Sequence, residues 1–378
     1  MLLFACILAV VISFAFTFPI RKYIAPKLGF MDHPKDGRRM HTEAKPLIGG
    51  LSVYVAFSVS SLVFGYGETA LPFILGGGLI VLCGMADDRF SIKPIYKLIC
   101  QALAGVLLCF FDVTVEHLCV FNTVIDLGIL KYPMTVLWVV AVTNAFNLID
   151  GLDGLCTGLS IISSGGVGLL ALANGHSEVF VCAMILMCAA LGFLVHNVYP
   201  ARIFLGDTGA MFFGFVLAAM SMEVTYVSDT KIPSIVAITL IGLPVFDTTY
   251  AIIRRICRKK HIMEGDKEHI HHVLCRSHSQ PVTVALMYLA AVVCVGISLI
   301  MTGGTSGEAI GYVLAAAAVA YGIYRFGVLG KCAAGDGESD CDAAAADAEA
   351  ETEERADEGK AGQAKSDAVN DAKADVEN

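Results

Sequence analysis

Long apolar runs, recurring from the first residues to near position 326, leave few folds open to this sequence. About eleven of them reach or approach the length of roughly 17–25 residues that crosses bilayer hydrocarbon. They lie near 2–20, 47–64, 70–86, 98–111, 134–149, 157–173, 179–195, 211–225, 233–252, 283–302 and 308–326. With 56% hydrophobic and only 16% charged residues among 378, the chain reads as a multispanning helical membrane protein. The expected fold is therefore all-α and polytopic, with about eleven transmembrane helices. Ten is the alternative count.

Lysine and arginine divide the loops into two sets. One set carries Arg21, Lys22, Lys27, Lys35, Arg38, Arg39, Lys45, Arg89, Lys93, Lys97, Arg202, Arg254, Arg255, Arg258, Lys259, Lys260, Lys267 and Arg276, the other only Lys131 and Lys231. By the positive-inside bias the rich set is cytoplasmic, which predicts an N-terminus outside. No basic residue precedes the first apolar run, so residues 2–20 read as a span in preference to a signal peptide. A membrane domain is assigned to 1–328 and a separate tail to 329–378. From Lys331 onward the tail has fifteen acids against five bases, and Val369 and Val376 are its only branched aliphatic residues. It is expected to be a disordered cytoplasmic segment and to account for the net charge of -9. The thirteen cysteines form no CxxC pair and suggest neither a disulfide framework nor a zinc site.

Four polar clusters interrupt this apolar chain, and all fall in the lysine- and arginine-rich set of loops. Asp87 and Asp88 close the third run, where the helix dipole already places partial negative charge. A salt bridge to Arg89, Lys93 or Lys97 is one explanation; work on a phosphate is the other. Asn144, Asn147, Asp150 and Asp153 step by three through the end of the fifth run, with Gly151 and Gly154 breaking the helix after them. Such amides and carboxylates suit a nucleoside or a hard cation, or more simply interhelical hydrogen bonds. In Phe204-Leu205-Gly206-Asp207-Thr208-Gly209 the acid precedes a helix predicted to start near Ala210, so N-capping competes with a cation-bound diphosphate. The loop from Arg254 to Pro281 joins Arg254, Arg255, Arg258, Lys259 and Lys260 to His269, His271 and His272. The histidine spacing matches no zinc motif, and phosphate contact is the preferred reading. Asp247, deep in the ninth run, is expected to be paired, with Arg254 as its candidate partner.

In this order the motifs resemble the polyprenyl-phosphate N-acetylhexosamine-1-phosphate transferase superfamily, from about Arg38 to Pro281. Arg39-Met40-His41 with Pro46-Leu47-Ile48-Gly49-Gly50 is similar to its first cytoplasmic signature. Asp87-Asp88-Arg89-Phe90 with Lys97 and Gln101 is similar to the second. Asn144 through Leu155, Asn197 through Asp207, and His269-Ile270-His271-His272 complete the set. The His-Ile-His-His form resembles the branch that makes undecaprenyl-diphospho-N-acetylglucosamine. The run of three histidines typical of the phospho-N-acetylmuramoyl-pentapeptide branch is absent. One departure is Ala210, where the family usually has Ser.

The resemblance implies an enzyme of the Mg²⁺-dependent phosphotransferase type, with Mn²⁺ as a substitute ion. Undecaprenyl phosphate would attack UDP-N-acetylglucosamine and release UMP, beginning a cell-envelope polysaccharide; another UDP-N-acetylhexosamine, or UDP-muramoyl-pentapeptide, is the alternative donor. It places Asp87, Asp88, His269, His271 and His272 in the chemistry, and Asn147, Asp150, Asp153, Phe204, Arg254 and Arg255 at the substrate. Asp207 and Asp150 would hold the metal. Further expectations are a bacterial plasma-membrane location with the active site on the cytoplasmic face, a homodimer, membrane lipid as a partner and no nucleic acid. Outside this class, a cation-coupled transporter should spread its acids across both faces.

Overall fold

The computed structural model describes residues 1–32, 44–120, 123–225, 232, 234–257, 269–275, 277–302, 307, 309–315 and 317. Arg39-Met40-His41, Arg258-Lys259-Lys260, Lys267, Glu268 and the tail from 329 lie outside the described residues, as does much of the eleventh run. Among the described residues the architecture is a bundle of α-helices with two short antiparallel hairpins.

The first apolar run forms α1 (Leu2–Pro19), which continues through one wide helical turn into α2 (Ala25–Leu28). A hairpin pairs β1 (Met31–Asp32) with β2 (Lys45–Pro46). Then come α3 (Gly50–Val63), α4 (Gly67–Phe90) and α5 (Pro94–Phe110). The second hairpin, β3 (His117–Val120) with β4 (Thr123–Asp126), precedes α6 (Lys131–Ile149). The chain goes on through α7 (Leu155–Ala173), α8 (Ser177–Asn197) and α9 (Gly206–Thr225). Last come α10 (Ile235–Leu240), α11 (Gly242–Cys257), α12 (Ile270–Cys275) and α13 (Gln280–Met301).

Among the described residues, seven helical stretches are long and apolar enough to cross a membrane: Leu2–Leu28, Gly67–Phe90, Gly128–Ile149, Leu155–Ala173, Ser177–Asn197, Gly206–Thr225 and Gln280–Met301. Two of the remaining predicted spans, α3 and α5, are apolar but shorter. The ninth predicted run is divided at Ile241 into α10 and α11. Gly242 and Pro244 mark the break, because a proline fits the first turn of a new helix but not the middle of a continuous one.

The centre of the bundle is α9. It is apolar on every face, as a helix must be when neighbours surround it, and α3, α4, α6, α7, α8 and α10 pack around it. Phe212, Phe213 and Phe215 on it are fully buried. Its first turn meets the first turn of α3 so closely that a Cβ on Gly50 would clash with the Gly209 backbone. Short extended pairing holds the two segments together: Phe204 N–H donates to the Pro46 carbonyl (2.9 Å), Gly49 N–H to Phe204 O (3.0 Å) and Gly50 N–H to Leu205 O (2.9 Å). The first turn of α9 is thereby fixed at the bundle end where α4 and α6 finish and α5 and α7 begin.

Candidate active site

The two aspartates at the end of α4 face different partners. Asp88 reaches across to α9, accepting Asp207 N–H on Oδ1 (2.9 Å) and both Thr208 N–H (3.1 Å) and Thr208 Oγ1–H (2.6 Å) on Oδ2. It supplies the cap that the first amides of α9 need, a task for which the sequence offers Asp207 or Thr208 themselves. The helix therefore starts at Gly206 rather than near Ala210. Gly206 has φ +74°, and a side chain there would meet the Leu47 carbonyl and approach Asp88 Oδ2 to 2.6 Å. Only glycine fits that combination of backbone angle and space.

With α9 capped from outside, the Asp207 carboxylate is free to face Asp87. Between them stands Lys97, in the first turn of α5, with Nζ 2.9 Å from Asp87 Oδ2 and 2.7 Å from Asp207 Oδ2. Asn147 also lies beside Asp207. Arg89 turns away from the acids, its Nε donating to the Leu28 carbonyl at the end of α2 (2.9 Å).

The row of polar residues that steps by three from Asn144 separates into four destinations. Asn144 donates to Gln101 Oε1 (2.6 Å) and to the Val140 carbonyl, tying α6 to α5. Asn147 joins Asp207. Asp150 follows the last residue of α6, and removal from water, with the charges of Asp207, Asp88 and Asp153, pushes its carboxyl well above the usual carboxylate range. Asp153 accepts the Ala201 N–H (2.9 Å), which fastens its loop to the segment leading into α9. Asn197 assists by donating to the Ile203 carbonyl (3.0 Å) while accepting from Thr157 (2.8 Å). From α13, Tyr288 donates its hydroxyl to the Gly154 carbonyl (2.6 Å).

The histidines lie against this loop. The His271 ring fits against Gly151, where a Cβ would collide with it. It is buried, stacks on His269 with centroids 5.8 Å apart and contacts His272 at 4.2 Å. Both of its ring nitrogens are buried without a hydrogen-bond partner. Burial, with the neighbouring His272, lowers its pKa to about 4, against a raising effect of Asp247. Asp247 accepts from Ile270 N–H on Oδ1 (2.8 Å) and pairs with His269 Nδ1 on Oδ2 (2.9 Å). Its partner is thus His269 and not Arg254, whose guanidinium stands over the Tyr250 ring at 5.3 Å. Position along the helix suggests Arg254, two turns away; the loop instead returns His269 to Asp247. The Phe204 ring, expected at the substrate, has the Lys45 ammonium over it at 5.1 Å.

Comparison with known proteins gives the family. The family described as glycosyl transferase family 4 matches residues 70–225. A Bacillus subtilis protein named probable undecaprenyl-phosphate N-acetylglucosaminyl 1-phosphate transferase is 37% identical over 276 residues, covering 72% of this chain and 77% of that one. The chain belongs to glycosyl transferase family 4. Two other relatives are more distant. The undecaprenyl-phosphate alpha-N-acetylglucosaminyl 1-phosphate transferase of Escherichia coli K12 is 29% identical over 272 residues (69% of this chain, 73% of that one). The decaprenyl-phosphate N-acetylglucosaminephosphotransferase of Mycolicibacterium smegmatis is 29% identical over 302 residues (71% and 74%).

In this family 4 chain the sequence-selected Asp87, Asp88, Asn147, Asp150, Asp153 and Asp207 converge on one end of the bundle, and His271 joins them through Gly151. The sequence offers Lys97 as one of several salt-bridge partners and as part of the second signature, with no role of its own, yet it is the cation shared by two of the acids. Its signal is its place ten residues after Asp87, at the start of the next helix. Tyr288 lies in the middle of an apolar helix and has no such signal. Among the described residues no three His, Cys, Asp or Glu side chains form a ready-made metal cage. The donors that do gather are carboxylate oxygens, which suit a hard cation held by one or two acids together with substrate phosphates and water.

Proposed function

We propose that this chain transfers N-acetylglucosamine 1-phosphate from UDP-N-acetylglucosamine to undecaprenyl phosphate, releasing UMP and forming the first lipid-linked intermediate of a cell-envelope polysaccharide. The observation that carries this reading is the single cluster of acids around Lys97 at one end of an apolar bundle, in a family 4 chain whose relatives bear that activity in their names. A transporter would distribute its ionisable groups along the bundle; these are gathered at one end.

The reaction joins two anions, so the chain must supply positive charge and hydrogen-bond donors. A lipid phosphate monoester has a second pKa near 6 and is largely dianionic at neutral pH, which leaves little for a general base to do. Asp87 is therefore a group that positions the lipid phosphate, with Lys97 as the adjacent cation. Asp88 contributes by holding the first turn of α9 and, through it, Asp207. Asp207 and Asp150 would hold Mg²⁺, for which Mn²⁺ could substitute. When bound, the ion neutralises the diphosphate and stabilises charge on the departing UMP. An Asp150 carboxyl pushed up by burial and by three like charges is one that a cation relieves. Asn147 and the Asp150–Asp153 loop face the nucleotide, with Asp153 keeping the loop in shape. His269, His271 and His272 close over the diphosphate, where the one N–H of the neutral His271 ring finds an acceptor. Arg254 and Arg255, in the last turn of α11, add positive charge on the same side.

The lysine and arginine asymmetry supports a cytoplasmic position for this end of the bundle and an N-terminus outside, in a bacterial plasma membrane. Apolar helix faces beside the acids supply the groove for the prenyl chain. The test is purified full-length protein with labelled UDP-N-acetylglucosamine, Mg²⁺ and a polyprenyl phosphate in detergent. UMP and a labelled lipid should appear together. Release of neither, or release undiminished by Asp207→Ala, would refute the assignment.

A further inference from the structure

Asp247 is a buried acid beside the site that the mechanism above leaves without a task. It is 1% exposed, so its carboxylate has been taken out of water at considerable cost unless its oxygens are matched by donors. They are matched by two groups from one short segment: Ile270 N–H at 2.8 Å and His269 Nδ1 at 2.9 Å. Asp247 comes from α11 and the segment begins α12, so the pair bridges the two elements that carry the arginines and the histidines.

We propose that Asp247 is a positioning residue for the transfer reaction, fixing the ring orientation and tautomer of His269 so that its Nε2 is presented to the diphosphate. The proposal rests on the transferase reading. An ionised carboxylate only accepts hydrogen bonds, so His269 Nδ1 must carry the proton that points at Asp247. Nε2 is then the ring nitrogen left for the substrate. When Nε2–H meets an anionic phosphate oxygen, the ring carries a positive charge that Asp247 balances from behind. The Ile270 contact fixes the carboxylate's own rotation, because its second oxygen is held by a backbone that cannot turn independently. The orientation is passed on, since His271 stacks on the His269 ring with the planes only 12° apart. His271 in turn rests on Gly151, beside Asp150. The line from Asp247 through two rings to the acidic loop is continuous contact.

Asp247→Asn separates this role from simple support of α12. Asparagine has nearly the same shape and its carbonyl oxygen still accepts from Ile270 N–H, but its amide donates to His269 Nδ1, so the ring keeps a neutral Nε2–H and loses the positive charge that Asp247 balances. The assay is UMP release by the full-length protein in detergent, with kcat and KM for UDP-N-acetylglucosamine measured separately and folding checked by circular dichroism. The expected result is a kcat at least about 100-fold lower with KM within about threefold, since proton-bearing groups in the transition state contribute on the order of 10²–10⁴. Asp247→Glu, which keeps the charge, should recover about tenfold of the loss. A folded Asp247→Asn protein with kcat within about threefold of wild type would overturn the proposal.

Should Asp247→Asn not fold, two other variants decide. Ile270→Pro removes the backbone donor together with part of a buried side chain, at a first helical position that tolerates proline, and is expected to keep most of kcat; His269→Gln is expected to lose at least about 100-fold. The reverse pattern would assign Asp247 to capping α12 alone. Absence of UMP release by the wild-type protein would overturn the transferase reading itself, so the two failures are distinguishable.

Discussion

Replacing Asp88 and Asp87 one at a time should give opposite signatures although the two residues are adjacent. Asp88→Ala strands three donors at the start of α9: the Asp207 and Thr208 amides and the Thr208 hydroxyl, now held at 2.6–3.1 Å. Each hydrogen bond to a charged acceptor is worth about 1.5–3 kcal/mol, and a buried donor left alone costs about 1–3 kcal/mol. Water entering the vacated space will satisfy part of that loss. A net destabilisation of about 3 kcal/mol is expected, which corresponds to a fall of roughly 5–10 °C in melting midpoint. Asp87 makes one partly exposed ion pair with Lys97, of a kind worth about 0–1 kcal/mol. Its removal also relieves repulsion with Asp207, so Asp87→Ala should melt within about 2 °C of wild type while losing most of its UMP release. The measurement is circular dichroism at 222 nm during heating, in a single detergent, beside the turnover assay. If Asp88→Ala melts with the wild type, or Asp87→Ala falls further than Asp88→Ala, the division of labour between them is wrong.

Three further outcomes follow from the same geometry. Gly206→Ala should lose at least about tenfold in UMP release and lower the melting midpoint, because a left-handed backbone angle and a clash with the Leu47 carbonyl add about 1–3 kcal/mol of strain; wild-type melting and turnover would refute the required close approach. Lys97→Met should cut UMP release by at least about 100-fold without unfolding the protein, since it removes the cation from between Asp87 and Asp207; retention of activity would show that the lysine is only a surface ion pair. His271 sets a pH dependence of stability. Its folded pKa of about 4 lies below the ordinary value of 6.5, so the unfolded chain binds the extra proton. Stability from this group is full above about pH 6.5 and declines as pH falls toward 4, by up to about 3 kcal/mol. Melting midpoints of wild type and His271→Gln from pH 4 to 7 should converge toward the acid end if this holds.

Much of the bundle was legible because a bilayer-length apolar run has little choice but to become a helix, and seven helical stretches of that kind are present among the described residues. The residue types of the site were legible too, since acids and amides at the ends of such runs are costly enough to stand out. What could not be read was which group each would touch. Asp88 caps a helix that begins 118 residues later, counting from Asp88 to Gly206, and no local pattern announces an acceptor brought in from another helix. Asp247 points toward Arg254 in the sequence because helical spacing is the only proximity a sequence states directly; the actual partner arrives through a loop. Asp153 groups with Asn147 by its three-residue step, yet the helix ends at Ile149 and the step loses its meaning beyond that point. The break at Ile241 does have a signal in Gly242 and Pro244, but it is easily lost in a run whose other residues are mostly apolar.

The placement of two acids at the end of α4 is unfavourable when that helix is considered alone, because its last turn already bears partial negative charge. Two other helices resolve it. The first turn of α9 offers Asp88 two amides and a hydroxyl, and the first turn of α5 offers Asp87 the Lys97 ammonium; both are helix N-termini, whose partial charge is positive. One C-terminus thus faces two N-termini, and the arrangement holds Asp88 by backbone amides while Asp87 and Asp207 are held by side chains alone, the shared Lys97 ammonium among them. That difference in rigidity suits the chemistry proposed. A ligand phosphate must exchange in and out every turnover, so the acids that meet it cannot be locked into the scaffold, whereas the helix that aims Asp207 must not move. Close packing of Gly50 on Gly209 and the left-handed angle at Gly206 serve the second requirement, and a single shared ammonium serves the first.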